Sequence, residues 1–154
     1  MQIKVLKKQK NNLEPAKAVL RHGKYPEQIE YEDENDFYEK LNNIIKSIED
    51  KENKTIAIIC KDYEQCEKLK EFLHSKEEKQ WEIVNKNTEI LPKRIIIASY
   101  ITKGLEFDCS IIYDCSQTNY KDNELDKKIL YVILTRALHE EYIFYKGKIT
   151  SLLI

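Results

Sequence analysis

The amino-acid sequence predicts an α/β domain with a mostly parallel sheet that helices cover on its faces. Two observations lead to this prediction. Short apolar, β-branched segments alternate along the chain with segments of helical periodicity, and several of the apolar segments show no polar alternation. Strands that are apolar on both faces are typical of parallel sheets, in which helices bury both sides.

The composition limits the classes of protein that the chain can belong to. Its 154 residues are 42% hydrophobic and 34% charged, with a net charge of -1, which indicates a soluble single domain over residues 1–154. A protein that binds nucleic acid mainly by neutralising phosphates is usually more basic. No apolar stretch reaches membrane-spanning length, and the first ten residues lack the apolar core of a signal peptide. We therefore expect a cytoplasmic protein without a membrane partner.

The first predicted elements lead from mixed signals to a clear helix and strand. Residues 1–25 read as an extension or as the start of the domain, with one or two helical turns in residues 14–20. Residues 27–31 predict a short strand. Residues 34–50 repeat apolar side chains at helical spacing and predict a helix. Residues 54–60 are short, apolar and β-branched, which predicts a buried strand.

The next predicted helix spans residues 61–75. Asp62 is suited to cap its first turn, and Gln65 follows three residues later in a pattern that resembles a capping box. Three further strands are predicted at residues 81–85, 94–100 and 110–115.

Residues 123–141 are ambiguous, because their centre has the composition of a strand. The apolar run from 125 to 138 is too long for one strand, so we predict a largely buried helix over 123–141. Residues 142–147 then predict a closing strand.

The four cysteines are Cys60, Cys66, Cys109 and Cys115, with five residues between the members of each pair. The repeated spacing leaves a four-thiolate zinc site open, but no Cys-x-x-Cys pair is present. We predict reduced, mostly buried thiols and no metal ligands.

Gly104 is one of only three glycines and follows the apolar segment 94–100. In open α/β sheets, ligands bind beyond the carboxyl ends of the strands, and we expect Gly104 to lie there. Glycine permits a positive φ or a close approach to a ligand. Lys103 offers a point charge for a phosphate, and Glu106 offers a carboxylate for ribose hydroxyls. The alternative is an ordinary turn with two solvated charges.

Two motifs in this region carry a family resemblance. The sequence "KGLEFD" at residues 103–108, followed by "LYVILTRALH" at residues 130–139, resembles motifs V and VI of the UvrD/Rep-type superfamily 1 helicases. The amino-acid sequences of the two motifs are most similar to those of the HelD group. The segment "VLRHGKYPE" at residues 19–27 also resembles that group. The two motifs are specific for this family when they occur together in this order. The rest of the chain adds little to the resemblance.

The resemblance implies a fold and a set of site residues. The family motor has two RecA-like lobes with ATP and Mg²⁺ between them, and this chain would be the second, three-layered lobe. Gly104 and Glu106 match positions that approach the nucleotide, with the glutamate at the ribose. Lys103 matches a lysine near the phosphates or the strand. Arg136 matches the catalytic arginine that reaches the γ-phosphate. The remaining matches, Tyr100 and Thr102, face single-stranded nucleic acid.

A P-loop is absent from the sequence. Gly23, Gly104 and Gly147 do not form the G-x-x-x-x-G-K-[ST] pattern whose backbone N–H groups cradle phosphates. The chain can therefore supply at most half of an ATP site, and we expect no activity from it alone. We expect it to be the terminal part of a longer DNA helicase or translocase whose P-loop lobe is its partner.

Two alternatives to this function stay open. The chain could be a non-catalytic binding module that docks on a partner lobe or on nucleic acid. It could also belong to an ATPase that acts on RNA polymerase, as in the HelD group.

Arg136 has two interpretations from sequence. The first is a charge near the end of a helix, stabilised by the helix dipole and by Glu140 four residues later. The second, which we favour through the motif, is an arginine finger that donates to the γ-phosphate.

Overall fold

A computed structural model describes residues 2–3, 16–17 and 25–153. Two short strands, β1 (Gln2–Ile3) and β2 (Ala16–Lys17), pair in an antiparallel sheet. The main sheet has six strands, all parallel: β3 (Glu27–Glu30), β4 (Ile56–Cys60), β5 (Glu82–Val84), β6 (Arg94–Ala98), β7 (Phe107–Ile112) and β8 (Ala137–Tyr145). Their order across the sheet is β3-β8-β7-β4-β6-β5. The helices are α1 (Glu34–Ser47), α2 (Tyr63–Ser75) and α3 (Glu124–Leu134).

The helices form layers on both faces of the main sheet. Phe37 and Leu41 of α1 and Leu73 of α2 pack with one side of the strands. Leu130 and Ile133 of α3 pack against the other side. The predicted α/β class and the parallel sheet are confirmed, and the three layers are consistent with a RecA-like domain. Among the described residues, no helix is both long and apolar enough to cross a membrane.

Each of the three helices starts at a side-chain cap. Asp62 accepts a hydrogen bond from the backbone N–H of Gln65 at 2.9 Å, as the sequence predicted. Asp33 and Asn123 cap α1 and α3 in the same way. These caps satisfy N–H groups that a helix leaves unpaired in its first turn.

Several predicted boundaries and one predicted element type are wrong. The helix predicted over 123–141 ends at Leu134, and the closing strand already begins at Ala137, because this segment pairs with β7. β7 in turn begins at Phe107 and not at residue 110. Ala16 and Lys17 form a strand where helical turns were expected. Most of the segment at residues 19–27 that resembles the HelD group lies outside the described residues.

Glu141 is an unusual member of the sheet. It lies in β8, opposite Ser110 of β7, and is only 2% exposed. Within the part of the chain that the structure describes, neither carboxyl oxygen of Glu141 has a hydrogen-bond partner, and the hydroxyl of Ser110 also lacks one. Burial raises the pKa of Glu141 well above its usual value of 4.5.

We expect Glu141→Leu to raise the free energy of unfolding by about 1–3 kcal/mol at neutral pH, because it removes an unsatisfied buried carboxyl. The sign of the pH dependence follows from the raised pKa. Stability from the protonated carboxyl is fully present below about pH 4.5 and is lost as the pH rises towards the folded pKa. Urea unfolding measured from pH 4 to pH 8 should show no such decrease in the free energy of unfolding of Glu141→Leu. Glu140→Gln, a change at the half-buried neighbour, should keep it; equal pH slopes in wild type and Glu141→Leu would contradict the explanation.

Candidate functional site

The connection between β6 and β7 carries most of the predicted site. β6 ends at Ala98 on the carboxyl edge of the sheet, whereas β7 begins at Phe107 on the amino edge, because the strands are parallel. Residues 99–106 therefore cross the α3 face from one edge to the other. They do so without an α-helix: a 3₁₀ turn spans Ser99–Ile101. Ile101 and Leu105 pack on the core beneath.

This path corrects the expected position of Gly104. The sequence placed it beyond the carboxyl ends of the strands, where Ser99 and Tyr100 do lie. Gly104 lies farther along the crossing, three residues before β7 begins at the amino edge. The predicted residues are thus divided between two edges of the sheet, with one connection joining them.

Thr102 and Gly104 shape the turn within the connection. Thr102 is fully buried, and both its N–H and its hydroxyl donate to the carbonyl oxygen of Ser99, at 3.2 and 2.8 Å. The N–H of Leu105 donates to the carbonyl oxygen of Thr102 at 2.9 Å. Gly104 has a φ of 83°, which side chains disfavour, and nothing lies within 4 Å of where its Cβ would be. Glycine is needed here for conformation and not for space.

Arg136 fixes this turn to the end of α3. Its Nη1 donates to the carbonyl oxygen of Leu105 at 3.3 Å, and its Nε donates to the carbonyl oxygen of Val132 at 3.0 Å. Its Nη2 donates to the hydroxyl of Thr135 at 3.0 Å. The backbone N–H of Phe107 donates to the carbonyl oxygen of Arg136 at 2.9 Å. Both motifs therefore meet at the amino edge of the sheet.

The structure changes both interpretations of Arg136. Its bond to Val132 places a cation at the carboxyl end of α3, where the helix dipole favours it. The pairing of Arg136 with Glu140 along a helix is wrong, because Glu140 lies in β8. The carboxylate of Glu140 instead accepts a hydrogen bond from the Tyr142 hydroxyl. A guanidinium has five N–H donors, and these three bonds leave one on each terminal nitrogen. These three bonds therefore do not use two of its donors.

The other predicted residues differ in exposure. Lys103, Gly104 and Glu106 are exposed, next to the half-buried Arg136. Tyr100 is 63% exposed at the carboxyl edge. The side chain of Thr102, in contrast, is not presented at the surface, and its hydroxyl is already bonded within the turn. The functional roles of these six residues stay predictions.

A partly buried ion pair at the carboxyl edge was not predicted. Lys61 follows β4, and its ammonium lies 3.0 Å from the carboxylate of Asp126 in α3, which is 3% exposed. The same ammonium donates to the carbonyl oxygen of Asn119 at 2.7 Å. The hydroxyl of Ser99 donates to the carbonyl oxygen of Lys61 at 2.7 Å. These contacts hold the loops around Tyr100, and they join residues too distant in sequence for local patterns to reveal.

Asp108, the last residue of the first motif, has a structural contact. Its carboxylate accepts from the N–H and the hydroxyl of Thr55, at 2.8 and 3.1 Å, and the N–H of Asp108 donates back to that hydroxyl at 2.9 Å. His139 lies 3.6 Å from the same carboxylate. Asp108 thus joins the amino ends of β4 and β7 beside the exposed turn.

The four cysteines are buried, as predicted. Burial raises the pKa of Cys60, Cys109 and Cys115 and disfavours their thiolates, the form that binds metal. Among the residues that the structure describes, no three or more metal-binding side chains lie together.

Comparison with known proteins gives a likeness to a solved structure. No family model matches the chain, and no curated protein matches it. Among solved structures, it is similar to the C-terminal domain of a possible DNA helicase from Lactobacillus plantarum, with 27% sequence identity and a TM-score of 0.74. The likeness covers 88% of this chain and 83% of that one. It supports a helicase C-terminal lobe in general.

Proposed function

We propose that the chain is the C-terminal RecA-like lobe of an ATP-dependent DNA helicase or translocase of the UvrD/Rep type, nearest to the HelD group and acting in the cytoplasm. In this proposal it completes an ATP site that it shares with a P-loop lobe. The observation that carries the proposal is the bond between Arg136 and Leu105, which brings the two helicase-like motifs together at one edge.

The residues at the amino edge fit an anionic nucleotide. Lys103 and Arg136 contribute two positive charges, and the Arg136 guanidinium keeps two N–H donors in the planar geometry that suits a phosphate. The positive φ of Gly104 turns the backbone at an exposed position. We assign Glu106 to the ribose hydroxyls. ATP with Mg²⁺, held mainly by the partner lobe, would supply the phosphoryl group that is transferred to water.

Arg136 has the properties that a finger needs. Its two bonds to backbone carbonyl oxygens fix the guanidinium before any ligand binds, so little side-chain entropy is lost on binding. A guanidinium also offers a planar, charged set of donors that matches a phosphate. Its role would be to stabilise charge on the γ-phosphate as the transition state forms.

Tyr100 is our candidate for contact with a single strand of DNA. Its exposed ring at the carboxyl edge offers a face on which a base can stack. Tyr100 and Gly104 belong to the same short connection, so a shift at the nucleotide edge can be transmitted to the strand. We assign Thr102 a supporting role, because its burial lets it fix this connection without touching the strand.

The experiment for the nucleic-acid side is Tyr100→Ala in the complete two-lobed protein. Loss of one stacked base should weaken single-strand binding by about 1–3 kcal/mol, or about 5- to 150-fold in the strand concentration that half-maximally stimulates ATP hydrolysis. Tyr131→Ala, which removes an exposed tyrosine from α3, is the matched control and should leave that concentration unchanged. Equal effects of both changes would remove Tyr100 from the strand site.

The lobe alone should bind single strands weakly, because its net charge is -1 and half of the groove is missing. Fluorescence anisotropy at physiological salt should give Kd values no tighter than about 10⁻⁴–10⁻⁶ M, the non-specific range. Nanomolar binding would instead favour a freestanding binding module.

A further inference from the structure

A concave surface lies at the amino edge of the sheet, on the face that α1 and α2 cover. The carboxyl half of α1, the segment before β4 and the start of β6 form its walls. It encloses a cavity of about 690 Å³. Six charged residues line it, and we call this surface the basic groove: Lys46, Lys51, Glu52, Glu78, Lys93 and Arg94.

The basic groove is positive, although the whole chain is not. Four cations and two carboxylates line it, whereas the chain carries a net charge of -1. The carboxylate of Glu78 is already engaged, since it accepts from the Tyr38 hydroxyl at 2.7 Å and from the Gln80 amide.

Among the described residues, no ion pair engages the three lysines of the groove. Lys46, Lys51 and Lys93 form no ion pair within residues 25–153, whereas six other lysines there do. Their ammonium groups therefore add to one positive potential over a concave surface, where field lines concentrate.

Arg94 forms a fixed positive base for the groove. Its Nη1 donates to the carbonyl oxygens of Lys54 and Lys93, at 3.0 and 3.2 Å, and its Nη2 donates to the carbonyl oxygen of Lys51 at 3.0 Å. Partial burial lowers the pKa of Arg94, an effect that nearby Glu52 opposes. The guanidinium thus holds the two chain segments that carry Lys51 and Lys93 beside each other through three hydrogen bonds to the backbone.

We propose that the basic groove is an anion site that binds phosphate groups. Lysine ammonium groups are compact point charges with rotatable donors, which suit the several oxygens of a phosphate. Carboxylates are matched best by an arginine fork, and three of the four cations of the groove are lysines, so an acidic peptide fits less well. The cavity has the volume of a pocket for a small ligand. The phosphates could belong to a free phosphorylated molecule or to a nucleic-acid backbone.

The test is an NMR titration of the ¹⁵N-labelled chain with inorganic triphosphate at low salt. We expect saturable shifts of the amides of residues 46, 51, 52, 93 and 94. The triple change Lys46→Gln, Lys51→Gln and Lys93→Gln should weaken this binding by about tenfold or more, given the Coulomb energy of each charge. The triple change Lys86→Gln, Lys128→Gln and Lys148→Gln alters the net charge equally at exposed positions outside the groove and should leave the Kd within about twofold.

Further arms distinguish the source of the phosphate. A dT oligonucleotide that displaces triphosphate from the groove amides identifies a nucleic-acid backbone; triphosphate that stays bound identifies a small phosphorylated ligand. Equal weakening by the two triple changes would overturn the proposal. So would the absence of groove shifts, or stronger groove shifts with a polyglutamate peptide than with triphosphate. Shifts at residues 103–106 and 136 are read separately, so failure of the groove leaves the proposed nucleotide edge untouched.

Discussion

Arg136→Lys in the complete two-lobed protein is expected to lower kcat for ATP hydrolysis steeply, towards the 10³–10⁵-fold contribution of arginine fingers. Lysine keeps the positive charge but loses the planar fork, and with it the two N–H donors that the bonds to Val132, Leu105 and Thr135 leave available. Steady-state phosphate release at saturating ATP and single-stranded DNA measures the effect.

The same change should also cost stability. The structure gives Arg136 three hydrogen bonds. Lysine can replace one of them, so we expect a loss of about 1–2 kcal/mol in the free energy of unfolding. For a domain of this size, that lowers Tm by a few degrees, about 2–4 °C per kcal/mol.

Thr135→Val separates the two effects. It removes the hydroxyl that accepts from Arg136 and donates to the carbonyl oxygen of Val132 at 2.8 Å, yet it keeps the guanidinium. We expect a similar decrease in Tm and a kcat within about tenfold of wild type, because one peripheral hydrogen bond is worth about 1 kcal/mol. If Arg136→Lys leaves kcat within about threefold, or if Thr135→Val lowers it as steeply, Arg136 only stabilises the end of α3.

The isolated chain should show no ATP hydrolysis above background, with or without single-stranded DNA. The sequence holds no P-loop, so nothing in it can cradle the β- and γ-phosphates with backbone N–H groups. In the isolated chain, Arg136 and Lys103 would contact a nucleotide that no P-loop holds in place. A phosphate-release assay on the purified chain measures this, and turnover near 1 s⁻¹, the low end of typical enzymes, would contradict it.

Local sequence signals predicted much of the fold. The cap at Asp62 and the positive φ of Gly104 depend on contacts within a few residues, and both are confirmed. The buried strands were found because their apolar side chains have no polar alternation.

The remaining features depend on pairing between distant segments. Periodicity could not reveal that α3 ends at Leu134, because the apolar run continues into β8 and only pairing with β7 separates the two. The sequence did not reveal the path of residues 99–106 across the sheet for a similar reason. These residues join two parallel strands without a helix, so no periodic pattern marks the crossing. The pairing of Lys61 with Asp126 and the burial of Glu141 likewise follow from the assembled sheet.

Hydrogen–deuterium exchange on the complete two-lobed protein tests most directly whether this lobe closes on a nucleotide. Exchange should be compared with and without a non-hydrolysable ATP analogue and Mg²⁺, with helix α2 as an internal reference on the opposite face. We predict slower exchange in residues 103–107 and 135–137, where the turn of Gly104 meets Arg136, and no change in α2. Unchanged exchange in both segments, at analogue concentrations that saturate the protein, would contradict a shared ATP site at this edge.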